Sequence, residues 1–418
     1  MKYGKLFKFN MLILMLAVSA GLIFLTCAFL GRLPKNITVN GVEVGGRTST
    51  EAAACVRERI EEELKTKSLT VRGKQREYVF TYPEISYKDN LQALLKTVEK
   101  GGDYTAEVKY YLNGISEISA YICKDETRAA VTPHAIFNTA GEPFTYVEGE
   151  DGIKADRVKL LSDIRASLES GFEDVTVSYG TTKFTGSLDE VKLDTEKLSS
   201  FTTYFDGENY DRAHNVRLAA KLINGKVLEV GEIFSFNTVV GARTAARGFK
   251  AAKIIENGEF VEGIGGGVCQ VSTTIYNAAL LAGCEICEYH PHSLAVSYVP
   301  PSYDAMVSGN YFDLKFKNTS GKKLYIRATA GANYVRFTIF GRSDGATYEF
   351  NSKVTGNIAA PEEVTGDESA VKEGRDGIIS EGYLTVTRNG IKRTVLLRRD
   401  KYAPVKRVVL ESTDNEQD

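Results

Sequence analysis

Three consecutive glycines, Gly265, Gly266 and Gly267, lead through Val268 into Cys269, and an apolar, alanine-rich helical pattern starts at once. The stretch reads Gly263-Ile-Gly-Gly-Gly-Val-Cys-Gln-Val-Ser-Thr-Thr-Ile-Tyr-Asn277. Glycine adopts backbone angles that other residues avoid and lets a partner come close to the main chain. A cysteine in the first turn of a helix sits near the positive end of the helix dipole, which favours thiolate over thiol. That arrangement prepares a nucleophile. A small residue at a tight loop has the same sequence appearance, so the surrounding chain must decide.

With 418 residues, the chain is long enough for two to four domains. It is 43% apolar and 25% charged with a net charge of -2, the balance of a folded protein, and no basic excess points to a nucleic-acid partner. Six cysteines stand at 27, 55, 123, 269, 284 and 287. With Cys27 in the N-terminal apolar segment the rest are odd in number, so no simple disulfide framework emerges. Cys284 and Cys287 form a C-x-x-C, but no second such pair completes a four-ligand zinc site, and two packed strand residues is the simpler reading.

Lys2, Lys5 and Lys8 precede an uncharged run from Phe9 to Leu30. Taken as a helix, residues 11–30 span about 30 Å, enough to cross a bilayer core. The lysines favour a cytoplasmic N-terminus at residues 1–10. The run is long for a cleaved signal peptide, and no small-x-small site ends it. The expectation is a single-pass signal anchor in the cell membrane with the bulk of the chain extracytoplasmic.

Beyond the anchor, Ile37 to Gly46 alternates short apolar residues and ends in a glycine pair, a strand pair and turn. Thr48 or Ser49 can cap a helix carrying Ala52, Cys55, Val56, Ile60 and Leu64. Strands follow at 68–71 and 78–82. About a hundred residues later the order recurs, with Asp151 to Ala155, a helix bearing Val158, Leu161, Ile164 and Leu168, and a strand at 174–179. Two α+β modules are therefore expected, at 36–130 and 131–206. The run Asn40-Gly-Val-Glu-Val-Gly-Gly-Arg-Thr48 with Glu51-Ala52, and more loosely Gly152 to Asp156, resembles the YoaR-like peptidoglycan-binding domain. The resemblance implies association with the glycan layer. The plainer alternative is a spacer that holds the next domain off the membrane.

In the centre, Tyr210 to Asn224 reads as a helix with Val216, Leu218, Ala219, Leu222 and Ile223 on its apolar side, followed by a strand at 227–230. Arg243 and Arg247 lie four apart, a spacing that can set both guanidinium forks on one carboxylate or phosphate. Structural pairing with Glu232, Glu256 or a backbone carbonyl is the competing reading. The glycine-led helix carries Val271, Ile275, Ala278 and Ala279 and ends at Gly283, with a strand at 284–289 beyond. Pro291 biases its neighbour toward extended backbone, which would turn His290 and His292 to the same side. Three strands are expected at 311–317, 323–329 and 334–340.

These residues, from Gly231-Glu232 and Phe234-Ser-Phe-Asn237 through Arg247-Gly-Phe249, the glycine–cysteine run, His290-Pro-His-Ser293, Tyr298-Val-Pro300, Asp304-Ala305 and Asp313, resemble the VanW domain. That family is named for an accessory gene of vancomycin-resistance clusters. The likeness covers about Asp211 to Arg342 within a domain assigned to 207–345. It implies a cell-envelope role without a settled reaction; together with the modules upstream the expected partner is peptidoglycan, and a link to glycopeptide resistance belongs to the alternative of a non-catalytic binding or scaffold protein.

Three kinds of chemistry suit the residues. In the first, Cys269 is a nucleophile, His290 or His292 its base, and Asp304 or Asp313 orients the ring. Gln270 and main-chain donors near Gly267 would stabilise an oxyanion, and stem-peptide amide bonds would be hydrolysed or exchanged by an amidase, peptidase or transpeptidase. In the second, His290-x-His292 with Cys269 or Asp304 holds zinc; the spacing is weak, and no metal or other cofactor is assigned. In the third, the glycine loop of Gly265, Gly266 and Gly267 with Arg243, Arg247 and Gln270 forms a non-catalytic pocket for a stem peptide or glycan.

Residues 346–376 are polar and weakly periodic and read as a linker. Gly382 to Thr387, Arg388-Asn-Gly390 and Ile391 to Leu397 signal a hairpin with Asn-Gly as its turn. The extension 346–410 is assigned no catalytic residue, and the acidic end 411–418 reads as a disordered tail. The fold class is α+β.

Overall fold

The structure, a computed structural model, describes residues 31–256, 259–309 and 311–410. The expected anchor at 11–30 and the acidic tail at 411–418 lie outside the described residues. Among the described residues, no helix is long and apolar enough to cross a membrane. The chain is mixed α+β with more strand than helix.

Contacts divide it into two compact units: residues up to 131 with 150–184, and residues 132–149 with everything from 185. The boundaries drawn at 130 and 206 do not follow this division. In the first unit, Thr48 caps the helix Ser49–Leu64 in a full capping box with Glu51 and buries Ala52, Ala53, Val56, Ile60 and Leu64. The strand Leu69–Arg72 pairs antiparallel with Glu77–Phe80 and parallel with Val175–Thr176. The helix Arg157–Ser170 is capped by Asp156 and buries Leu160, Ile164 and Leu168. Val158, expected on its apolar side, is 79% exposed. At about 100° per residue it lies well off the face marked by Leu160, Ile164 and Leu168, so the helical period itself turns it outward.

A buried carboxylate stands at the end of the helix Ile115–Glu126. Glu126 accepts from the Tyr179 hydroxyl at 2.6 Å, the Tyr78 hydroxyl at 3.1 Å and the Lys74 amide at 2.8 Å. Burial alone would raise its pKa, but these bonds outweigh burial and hold it below the usual carboxylate range.

The second unit has a four-stranded antiparallel sheet in the order 196–204, 334–341, 324–330, 227–228. The helices Tyr210–Ile223 and Val268–Leu281 pack on this sheet. Tyr210–Ile223 buries Ala213, Val216, Ala219, Ala220 and Ile223, while Leu222 points outward. Val268–Leu281 is buried on nearly every side, and its buried Gln270, Ser272, Thr273, Thr274 and Asn277 side chains are hydrogen-bonded. Of the expected strand 311–317 only Lys315–Lys317 forms a strand, the middle one between Ile233–Ser235 and Glu285–Glu288, while Phe312 makes an isolated bridge to Ser308.

Residues 346–376 are not a linker. Ala346–Ile358 is a 13-residue strand paired along its length with Gly377–Arg388, which pairs in turn with Ile391–Tyr402. Tyr348 and Phe350 alternate with polar residues, so the period-2 signal is real but thin, and the ladder is set by the strand across from it. The expected hairpin turn falls at Asn389 and Gly390, both with positive φ.

Candidate functional site

The glycine run is required by close packing. A Cβ on Gly266 would stand 2.7 Å from the Ala252 and Lys253 carbonyl oxygens, and Gly267 caps the next helix at φ 101°. Fully buried Asn215 ties the loop down, donating from Nδ2 to the Gly266 and Lys250 carbonyls at 3.0 and 2.9 Å and accepting from the Lys250 amide. The loop delivers Cys269 to the second position of the helix Val268–Leu281.

Polar side chains on that buried helix hold the segment opposite. Ser272 donates to the Ala305 carbonyl at 2.6 Å, Thr273 accepts from the Ala305 amide at 3.0 Å, and Asn277 donates to the Tyr303 carbonyl at 2.8 Å. One helix therefore carries Cys269 and places Asp304. The Met306 amide donates to the His290 carbonyl at 2.7 Å, locking the histidine loop to the same segment.

His292 is buried, and its Nδ1 lies 2.7 Å from Asp304 Oδ2. That bond fixes Nδ1 as a protonated nitrogen and leaves Nε2 as the ring nitrogen available to Cys269, whose Sγ lies 3.3 Å from the Val307 carbonyl oxygen. Burial opposes a Cys269 thiolate, but the bond and charge of His292, together with the charge of Arg243, outweigh it and set the thiol below its ordinary pKa. Burial likewise opposes a His292 imidazolium, yet Asp304 and Cys269 raise it to about 9. Asp304 also stays below the usual carboxylate range despite burial, through His292, Arg398 and Tyr402. The shifts of Cys269 and His292 both favour the thiolate–imidazolium form, with the Asp304 carboxylate behind the ring.

The pair opens onto a cleft of about 1950 Å³. Among the described residues its walls carry five Lys and Arg side chains, Arg212, Arg243, Lys253, Arg375 and Lys401, against one carboxylate, Asp206. The protein's net charge of -2 makes this local excess a property of the site.

The other candidates fall elsewhere. His290 points away from Cys269: its Nε2 is 3.0 Å from Glu288 Oε1, and its ring packs on Phe312. The segment 289–299 is loop, so strand alternation does not govern the two histidines. Asp313 accepts from Ser235 Oγ at 2.6 Å and the Asn237 amide at 2.9 Å, at the start of the helix Phe236–Val240. Arg247 donates to the Val240 and Ala242 carbonyls, whereas Arg243 bonds Asn237 Oδ1 and lines the cleft. Gln270 is buried and committed: Nε2 donates to Thr203 Oγ1 and the Tyr204 carbonyl, and Oε1 accepts from Arg212. Its amide is thereby taken up in holding the helix to the strand Glu196–Tyr204. Cys284 is a buried free thiol pushed up to about 12 by burial, and Cys287 is free and exposed. Among the described residues, no group of three or more His, Cys, Asp or Glu side chains stands close enough to hold a metal ion.

Sequence reasoning missed Arg212, the Tyr298 hydroxyl beside Cys269, and Arg398 and Tyr402 behind Asp304. Tyr402 lies 98 positions from Asp304, and no local pattern links them.

The Cys–His–Asp arrangement and the glycine-led helix that carries Cys269 lie within the central third of the chain, where a family comparison finds a match. Residues 211–340 match the family described as VanW like protein, and the chain carries a VanW-family domain over that span. It is 43% identical over 148 residues to the uncharacterized protein YoaR of Bacillus subtilis (strain 168), covering 35% of this chain and 49% of that protein. It is 30% identical over 113 residues to the vancomycin B-type resistance protein VanW of Enterococcus faecalis (strain ATCC 700802 / V583), covering 26% of this chain and 41% of that protein. The chain thus spans about half the length, or less, of these curated relatives. No solved structure matches.

Proposed function

We propose that the protein is a cell-envelope enzyme that cleaves or exchanges amide bonds of peptidoglycan stem peptides, with Cys269 as nucleophile, His292 as acid–base and Asp304 as its orienting carboxylate. The observation that carries this reading is the Cys269–His292–Asp304 arrangement facing an open cleft. In the first step the Cys269 thiolate attacks the amide carbonyl carbon, and the C–N bond breaks as His292 Nε2 gives its proton to the leaving amine. The resulting thioester is then attacked by water, giving hydrolysis, or by a second amine, giving transpeptidation; neutral His292 takes the proton in either case. Cys269's own amide N–H, at a helix start where intrahelical partners are lacking, is a suitable donor to the oxyanion in place of Gln270.

The cationic walls suit a substrate with free carboxylates, as stem peptides have. The VanW-family match supports an envelope setting, and placement outside the membrane through residues 11–30 belongs to the same proposal. The resemblance of the first unit to glycan-layer modules fits it as well, with the unit holding the catalytic domain near its polymer.

The test is incubation of the full chain and of Cys269→Ala with purified sacculi and soluble muropeptides, read by mass spectrometry. New cleavage or cross-link products with the native chain and none with Cys269→Ala are expected. No products from either, with both retained equally on sacculi, would replace this reading with that of a non-catalytic peptidoglycan-binding protein.

A further inference from the structure

The family match ends at residue 340, yet the carboxylate of the site is completed from beyond it. Asp304 Oδ2 serves His292, and the other oxygen, Oδ1, accepts from the Tyr402 hydroxyl at 2.5 Å. Arg398 approaches the same oxygen through Nη2 at 3.5 Å and donates from Nη1 to the Asp304 carbonyl at 2.8 Å. The Arg398 side chain has no exposed surface; its Nε bonds Asp400 at 2.6 Å, and its plane lies 4.3 Å from the Tyr289 ring centroid. The Tyr402 oxygen also accepts from the Ser302 amide at 2.7 Å.

Both residues lie on the C-terminal strand Ile391–Tyr402. The same end of the chain reaches the histidine loop, where the Ala403 amide donates to the Ser293 carbonyl at 2.7 Å and Arg375 donates to the Ala295 carbonyl at 3.0 Å. Fastening one sheet to another needs only apolar contact, and a buried ion pair is often no more stabilising than well-packed apolar residues. Here the buried arginine and the tyrosine hydroxyl both converge on one carboxylate, the one that holds His292.

We propose that Tyr402 and Arg398 are positioning residues for the Cys269–His292–Asp304 site, so that the C-terminal three-stranded sheet completes the catalytic unit. They keep Asp304 ionised and hold Oδ2 toward the His292 ring. Loss of either weakens Asp304's hold on His292, and with it the thiolate–imidazolium pair. This inference rests on Cys269 being the nucleophile.

The charges around the pair are few and named. Cys269 faces His292, Arg243, Tyr298 and Arg212; His292 faces Cys269 and Asp304. Asp304 faces His292, Arg398 and Tyr402, and Arg398 faces Asp400, Tyr276 and Tyr289 besides.

The experiment is the rate of Cys269 alkylation by iodoacetamide against pH in the full chain, quantified on the Cys269 peptide, with no substrate present. Tyr402→Phe and Arg398→Met are compared with Ser380→Ala, which removes a 2.7 Å bond to Ser302 from the same sheet without touching Asp304. Tyr402→Phe is expected to slow alkylation at pH 6.5 about tenfold and to move the profile toward that of an ordinary thiol. Arg398→Met should do so further, and Ser380→Ala should stay within about twofold of the native chain. If Arg398→Met does not fold, Tyr402→Phe, whose ring fills the same space, carries the test alone. Profiles for Tyr402→Phe that superimpose on Ser380→Ala would overturn the inference while leaving the nucleophile intact. An ordinary thiol profile in the native chain would overturn both.

Discussion

Asp304 holds His292 with a single oxygen: Oδ2 accepts the His292 backbone N–H and its ring Nδ1–H, each at 2.7 Å. The backbone bond places the residue and the ring bond turns the imidazole, so the ring is held in one orientation with Nε2 free. In an apolar surrounding such a pair of bonds keeps the carboxylate ionised, which in turn favours the imidazolium and the thiolate facing it.

Cys269 should react as a thiolate below the ordinary thiol range. The lowered thiol sets the acid limb and His292, raised to about 9, sets the basic limb, so the ion pair persists between them. Alkylation should set in at lower pH than for an ordinary thiol, and turnover should fall as pH rises past about 9 and His292 loses its proton. A single alkylation limb near the ordinary thiol value of about 8.5 would contradict the assignment.

The two histidines should separate cleanly. His292→Ala should slow Cys269 alkylation at pH 6.5 by about 30- to 100-fold, the loss expected when a thiol returns to its ordinary pKa. His290→Ala, which removes only the contact with Glu288 and the packing on Phe312, should change it less than about twofold. Equal effects of the two would show that His292 has no special place.

Gly266→Ala should destabilise the second unit by about 1–3 kcal/mol, because its methyl group meets main-chain oxygen at 2.7 Å that cannot swing aside. Denaturant unfolding of the full chain would measure this. Gly46→Ala, where no atom lies within 4 Å of the added methyl group, would be limited to the strain of its φ of 73°.

Glu126→Gln should destabilise the first unit by about 3 kcal/mol, because the amide turns a donor toward groups that are themselves donors. Glu126 has a depressed pKa in the fold, so its stabilisation is present above the unfolded value and lost as pH falls through the folded one. Thermal unfolding followed from pH 7 to pH 3 should show this acid loss in the native chain and a flatter profile in the variant.

Local chemistry made much of the scaffold readable. Thr48 and Glu51 spell a capping box, Asn389-Gly390 a hairpin turn, and Gly265 to Cys269 a loop running into a helix, because each depends on backbone angles and neighbours within a few positions. The family resemblance also lay in the residues, and the span 211–340 bears it out. Strand alternation misled at His290 and His292, which lie in a loop.

The sequence by itself determined that Cys269 would stand at the start of a buried helix, and that a histidine and an acid would follow it. Only the tertiary structure chose His292 over His290 and Asp304 over Asp313, turned Gln270 inward to Thr203 and Tyr204, and brought Tyr402 and Arg398 against Asp304. The reason is physical. A side chain's hydrogen-bond partner and the polarity around it are set by residues dozens of positions away, whose approach is governed by the packing of sheets and helices and leaves no local pattern to read.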